Sequence, residues 1–151
     1  MRVLAVLFAV VMISCSSLPE FKHADNAQAY LDKAAAEPGA VKTASGLIYT
    51  ELRPGTGASP KSSDTVKVHY RGTLTDGTEF DSSYKRNEPT EFPLDHVIPC
   101  WTEGVQRMKV GGKSRLVCPS SIAYGDGGRP PVIPGGATLV FQIELLSVNG
   151  A

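Results

Sequence analysis

No excess of either charge marks this chain: 15 Lys and Arg stand against 15 Asp and Glu over 151 residues, a formal net charge of zero. That balance argues against a dedicated nucleic-acid binder, which carries a basic surplus, and against an acidic tail. Aromatics make up only 7%, with a single Trp. Cysteine and histidine number three each, and His69 and His96 are not spaced as a zinc pair. The expectation is no metal and no cofactor. There is no P-loop, no G-x-G-x-x-G, no G-x-S-x-G and no H-E-x-x-H, so nothing in the spacing suggests phosphate, dinucleotide or covalent chemistry. The longest apolar run, Val3 to Ile13, has 11 residues, short of the roughly 20 that span a membrane. The length suits one domain with a short appendage, and is too small for a two-domain Rossmann enzyme or a TIM barrel.

What is present begins with an export signal. Arg2 supplies the positive start, Val3 to Ile13 the apolar stretch, and small residues Ser14 to Ser17 follow. Ile-Ser-Cys at its end resembles a bacterial lipobox, with Met12 where Leu is usual. The expectation is a signal over residues 1–15 and a lipid on Cys15, which ties the protein to the periplasmic side of the outer membrane. Ser16 after the cysteine is compatible with that sorting. Plain cleavage near Ser14 to Ser17, leaving a soluble periplasmic protein, is the competing reading. An oxidising compartment favours a disulfide between Cys100 and Cys118, closing a loop of 18 residues for about 3 kcal/mol. Two buried thiols are the alternative.

Residues 16–43 read as a leader. Ala24 to Glu37 holds good helix formers but only Tyr30 and Leu31 as large apolar residues, too few to build a core. A short helix or stalk holding the domain off the membrane is expected. From Ala44 the signals turn to strands. Leu47, Tyr49 and Leu52 suggest the first. Thr65 to Thr75 alternates strictly, Val66, Val68, Tyr70 and Leu74 against Lys67, His69, Arg71 and Thr73. Asp76-Gly77 makes a hairpin turn, Thr78 to Asp81 returns, and Glu91 to Leu94 continues the pairing. Trp101, Val105 and Met108 share one face of a helix that Gly111-Gly112 ends. Lys113 to Cys118 and Ala137 to Val148 complete the strands. Between them Pro119 to Gly136 carries four prolines and five glycines, and a loop of that length is usually functional or disordered. The pattern predicts an antiparallel sheet packed on one short helix, an α+β arrangement.

Seven strings stand in order: Val68-His69-Tyr70-Arg71-Gly72, Gly77-Thr78-Glu79-Phe80-Asp81-Ser82-Ser83, Val97-Ile98, Trp101-Thr102-Glu103-Gly104-Val105, Ala123-Tyr124-Gly125, Ile133-Pro134 and Ala137-Thr138-Leu139-Val140-Phe141. Together they resemble the FKBP-type peptidyl-prolyl cis–trans isomerases, over about Ala44 to Val148. The signal and leader make the chain similar to the exported bacterial members.

The resemblance implies a twisted antiparallel sheet of about five strands wrapped around one short helix, and it implies a site. Trp101 forms the floor for the proline ring. Tyr70, Phe80, Val97, Ile98 and Phe141 are the apolar walls. The Ile98 N–H and the Tyr124 hydroxyl take substrate carbonyls. Asp81 is a buried polar group at the pocket edge, oriented by Arg86 and Tyr70, and Val132 and Ile133 lean over the site. Partners would be proline-containing unfolded or partly folded polypeptides and macrolide inhibitors, with no nucleic acid, and the protein a monomer over an isomerase domain at 44–149. A non-catalytic proline-binding or holdase module is the second reading, and a structural surface lipoprotein the third. Two departures stand out: Thr90 replaces a rim aromatic, and Cys100 replaces the glycine common before the tryptophan. The flap tip, Asp126 to Pro131, is individual to this chain.

Overall fold

The computed structural model describes residues 22–150. The signal segment and Cys15 lie outside the described residues. Seven strands and two helices follow one another: α1 (Lys22–Ala35), β1 (Ala40–Lys42), β2 (Ile48–Arg53), β3 (Thr65–Leu74), β4 (Glu79–Ser82), β5 (Thr90–Pro93), α2 (Pro99–Gln106), β6 (Lys113–Cys118) and β7 (Leu139–Val148). All pairings are antiparallel, in the order β1-β2-β6-β7-β3-β4. β5 joins β3 beside β4: Thr65 to Val68 pair with β5, and Arg71 to Thr73 with β4. The expected α+β sheet over a helix is therefore the observed one. The two strands beyond five are short pieces, of three and four residues, at the sheet margins.

Alternation decides which side chains enter the core. Val66, Val68 and Tyr70 of β3 are buried, as are Leu139, Phe141, Ile143 and Leu145 of β7. They pack against Cys100, Trp101 and Val105 of α2. Gly104 lets α2 approach β6, since a Cβ there would stand 2.3 Å from Leu116 Cδ2. Pro99 suits the first turn of the helix because its missing N–H would find no partner there anyway. The helix stops at Gln106, earlier than Gly111-Gly112 suggests. Arg107 and Met108 already bond three residues back, to Gly104 and Val105, which tightens the last turn. Met108 is buried beyond the helix end.

The outer face of the sheet shows two features that the residue pattern left open. Leu52 has the parity of Ile48, not that of Leu47 and Tyr49, so it points outward and is 47% exposed. The leader forms the short helix α1, which docks on the sheet. Ala34 is buried with Tyr30 and Leu31 against Ile48, Val117 and Val140, the outward residues of β2, β6 and β7. β1, inside the stretch read as leader, pairs with β2. Few apolar residues suffice because the helix covers a small patch and builds no core of its own.

Candidate active site

A cavity of about 660 Å³ opens between β3, β4, β5, α2, β7 and the loop after β6. Its floor is Trp101, 4% exposed. Three aromatic rings meet it edge-on: Tyr70 at 5.1 Å between centroids, Phe141 at 5.3 Å and Phe92 at 5.5 Å. Phe80 stands edge-on to Phe141 at 5.6 Å. Edge-to-face packing fixes ring orientation beyond what area burial alone would do. Gly72 makes this packing possible, because a Cβ there would lie 2.5 Å from Phe80 Cζ and 3.0 Å from Phe141 Cε1. The indole Nε1 of Trp101 is buried with no hydrogen-bond partner.

One polar cluster borders the apolar bowl. The Tyr70 hydroxyl donates to Asp81 Oδ2 at 2.5 Å, and Arg86 Nη1 donates to Asp81 Oδ1 at 2.7 Å. The Ser82 N–H adds a third bond to Oδ1, at 2.9 Å. Arg86 Nη2 reaches the Tyr70 oxygen at 3.2 Å and Thr90 Oγ1 at 3.4 Å. Burial opposes ionisation of Asp81, but the bonds from Tyr70 and Arg86 and the charge of Arg86 outweigh it and hold its pKa below the ordinary value. Burial, then the bond to Asp81, pushes the Tyr70 phenol up. Arg86 is raised by its bonds to Asp81 and Tyr70. The group is thus a fixed carboxylate–phenol–guanidinium set. Behind it the Tyr70 N–H donates to buried Ser83 Oγ at 2.7 Å, and the same oxygen meets His69 Nδ1 at 2.8 Å. The backbone carrying Tyr70 is therefore anchored as well.

The rim comes from two irregular segments. Val97 and Ile98 precede α2, and the Ile98 carbonyl accepts from the N–H of Trp101 and of Thr102. The Ile98 N–H has no backbone acceptor among the described residues. Tyr124, Val132 and Ile133 come from the long loop and line the cavity with them. Ile133 is buried while Val132 is 51% exposed, so Ile133 is the inner wall and Val132 the outer lip.

The structure thus brings Tyr70, Phe80, Asp81, Val97, Ile98, Trp101, Tyr124, Val132, Ile133 and Phe141 around one cavity. Arg86 does not line it and acts through Asp81. Asp81 is not the buried group expected: its side chain is 41% exposed, because the cluster sits at the open edge of β4. Four lining residues escape the sequence reading: Phe92, His96, Arg129 and Pro130. Phe92 was legible in principle, as the one aromatic of β5. It supplies a wall two residues after Thr90. Cys100 and Cys118 are joined, with Cα atoms 5.9 Å apart, and both are fully buried. The link ties the residue before Trp101 to the end of β6. Among the described residues no cluster of three or more His, Cys, Asp or Glu could hold a metal ion.

Comparison with known proteins agrees with this geometry. Residues 57–146 match the family of FKBP-type peptidyl-prolyl cis-trans isomerases. The chain is 55% identical over 120 residues to the FKBP-type peptidyl-prolyl cis-trans isomerase FkpA of Aeromonas hydrophila, covering 80% of this chain and 44% of that protein. It is 49% identical over 146 residues to FkpA of Escherichia coli (strain K12), covering 95% of this chain and 54% of that one. The crystal structure of the Escherichia coli FkpA superposes with a TM-score of 0.81 at 50% identity, over 83% of this chain and 59% of that chain. A peptidyl-prolyl cis-trans isomerase from Pseudomonas syringae pv. tomato superposes with a TM-score of 0.79 at 41% identity, over 83% and 92%. The chain spans about half the length of the FkpA relatives. Aromatic floor, carboxylate latch and matched sequence all converge: the chain belongs to the FKBP-type peptidyl-prolyl cis–trans isomerase family.

Proposed function

We propose that this protein is a peptidyl-prolyl cis–trans isomerase that accelerates rotation of X-Pro bonds in folding polypeptides. The observation that carries the reading is the apolar aromatic cavity floored by Trp101 with a fixed polar cluster at its edge. The X-Pro isomers differ by only about 0.5–1 kcal/mol, so the difficulty is kinetic. The barrier, about 18–20 kcal/mol, is the lost amide resonance. Twisting the bond returns charge to nitrogen and leaves the amide less polar than the planar form. A dry aromatic bowl therefore favours the twisted state over the planar one, which is the differential binding that lowers a barrier.

Each residue has a part in this account. Trp101 supports the proline ring, with Tyr70, Phe80, Phe92, Ile133 and Phe141 excluding water. The Ile98 N–H and the Tyr124 hydroxyl take carbonyls of the chain and hold it while the bond turns. Asp81, kept ionised and oriented by Tyr70 and Arg86, presents a fixed negative edge to the rotating carbonyl carbon. No nucleophile and no proton transfer is required. The same bowl suits the apolar ring of a macrolide inhibitor. The catalytic unit is residues 44–149, it acts as a monomer, and the stretch from 16 to 43 leads into it.

The site is tested by NMR exchange on an Ala-Leu-Pro-Phe peptide. The wild type should exchange the isomers far faster than the uncatalysed tens of seconds. Tyr124→Phe should lower kcat/KM roughly two- to tenfold, the loss of one ordinary hydrogen bond. A folded protein that gives no acceleration contradicts the reading and leaves a proline-binding holdase, which suppression of aggregation would then reveal. For location we infer export to the periplasmic side of a bacterial envelope, with a lipid on Cys15 holding the protein to the outer membrane. The basis is the N-terminal sequence alone. Cys15→Ala should shift the protein from the membrane fraction to the soluble one, and an unchanged distribution contradicts the anchor.

A further inference from the structure

Arg129 lines the cavity, and no carboxylate of the described residues comes within ion-pair distance of it. The charged residues lining the cavity include Asp81, which Arg86 neutralises at 2.7 Å, and Arg129, which joins none of the ion pairs formed by the described residues. Asp126, three residues upstream in the same loop, does not pair with it, and the carboxylate of Asp95 lies beside His96, 3.5 Å from its Nε2. The position of Arg129 is held by the backbone. Its N–H donates to the Ile133 carbonyl at 2.8 Å, and the Ile133 N–H donates back at 3.0 Å. Its guanidinium carbon lies 5.9 Å from the centroid of the Tyr124 ring, a cation–π distance. A fixed, exposed cation thus sits over the ring whose hydroxyl takes a substrate carbonyl.

We propose that Arg129 makes this isomerase select substrates carrying a carboxylate side chain within two residues of the proline. The proposal rests on the isomerase reading of the same site. A chain held by the Tyr124 hydroxyl brings the side chains flanking that carbonyl within a few ångströms of the guanidinium. A Glu or Asp there supplies the counter-charge that the protein itself does not, and a Lys is repelled. The cation is solvated, so the effect is that of an exposed ion pair, roughly two- to fivefold. It falls with salt, because exposed charges are screened.

The test uses full-length protein and peptides of the form Ala-Ala-Leu-Pro-Phe-Ala. Glu, Gln or Lys is placed two residues before the proline, one before, or one after. Catalysed exchange is measured by NMR and corrected for each peptide's own uncatalysed rate. The expected result is a Glu-to-Gln ratio in kcat/KM of about two to five at one or more positions, shrinking at about 0.5 M salt. In Arg129→Glu the preference should invert, with Lys favoured over Gln. Reading the ratio within each variant cancels any change in turnover common to all peptides. A ratio of one at all three positions overturns the proposal, and so does a preference that Arg129→Glu leaves unchanged. If the wild type accelerates none of the Gln peptides, the isomerase reading falls, and this proposal with it.

Discussion

Asp81 is where individual residues matter most. Its carboxylate accepts three bonds, from Tyr70, Arg86 and Ser82, and all three are strongest to the ionised form. The folded pKa is lowered, so the contribution to stability is present above the unfolded value, about 3.9 for an aspartate, and is lost as pH falls through the folded one. Asp81→Asn should therefore melt below the wild type at neutral pH, and the gap should be constant above about pH 4.5 and close at lower pH. Thermal melts of both proteins across pH check this, and a gap that persists unchanged into strong acid contradicts it. Thr90 shows how a departure from a family pattern is absorbed. It takes a bond from Arg86, while Phe92 provides the aromatic contact to Trp101.

At the scale of elements, legibility follows periodicity. β3 and β7 announce themselves because one face is core and the other wet, so their alternation survives in the residues. The stretch Glu91 to Leu94 reads as pairing, and β5 is there at Thr90–Pro93, but four residues are too few to show which face Phe92 takes, so that wall residue goes unread. The docking of α1 is hidden for another reason. Ile48, Val117 and Val140 look like the outer face of ordinary strands, and only the fold shows that they lie together under Tyr30, Leu31 and Ala34. The flap is hidden too. Its glycines and prolines specify turns, but the pairing of Arg129 with Ile133 that carries the tip over the cavity is not written in any spacing. α2 depends on its neighbours as well. The link from Cys100 to Cys118 closes an 18-residue separation and should contribute about 3 kcal/mol, roughly 10 °C in Tm for a domain of this size. Melting with and without reductant measures it. Equal melts would mean that the two cysteines contribute only as packed thiols.

For the whole molecule, sheet and helix meet at an aromatic bowl. Its floor residue is bracketed by the helix, the disulfide and three perpendicular rings. At its edge Tyr70, Asp81 and Arg86 form a set of fixed donors and acceptors. Ionised Asp81 already accepts from Tyr70 and Arg86, and the shift of Tyr70 is upward, away from deprotonation. The central claim is that the barrier falls by binding a twisted, less polar amide. General acid–base catalysis would move a proton in the rate-determining step, and rotation in an apolar site does not. The most direct measurement is kcat/KM for peptide exchange in H2O and in D2O, at matched positions on the pH profile. Rotation in an apolar site gives a ratio of about one, whereas a ratio of about two or more would show a proton in flight in the transition state and overturn this mechanism.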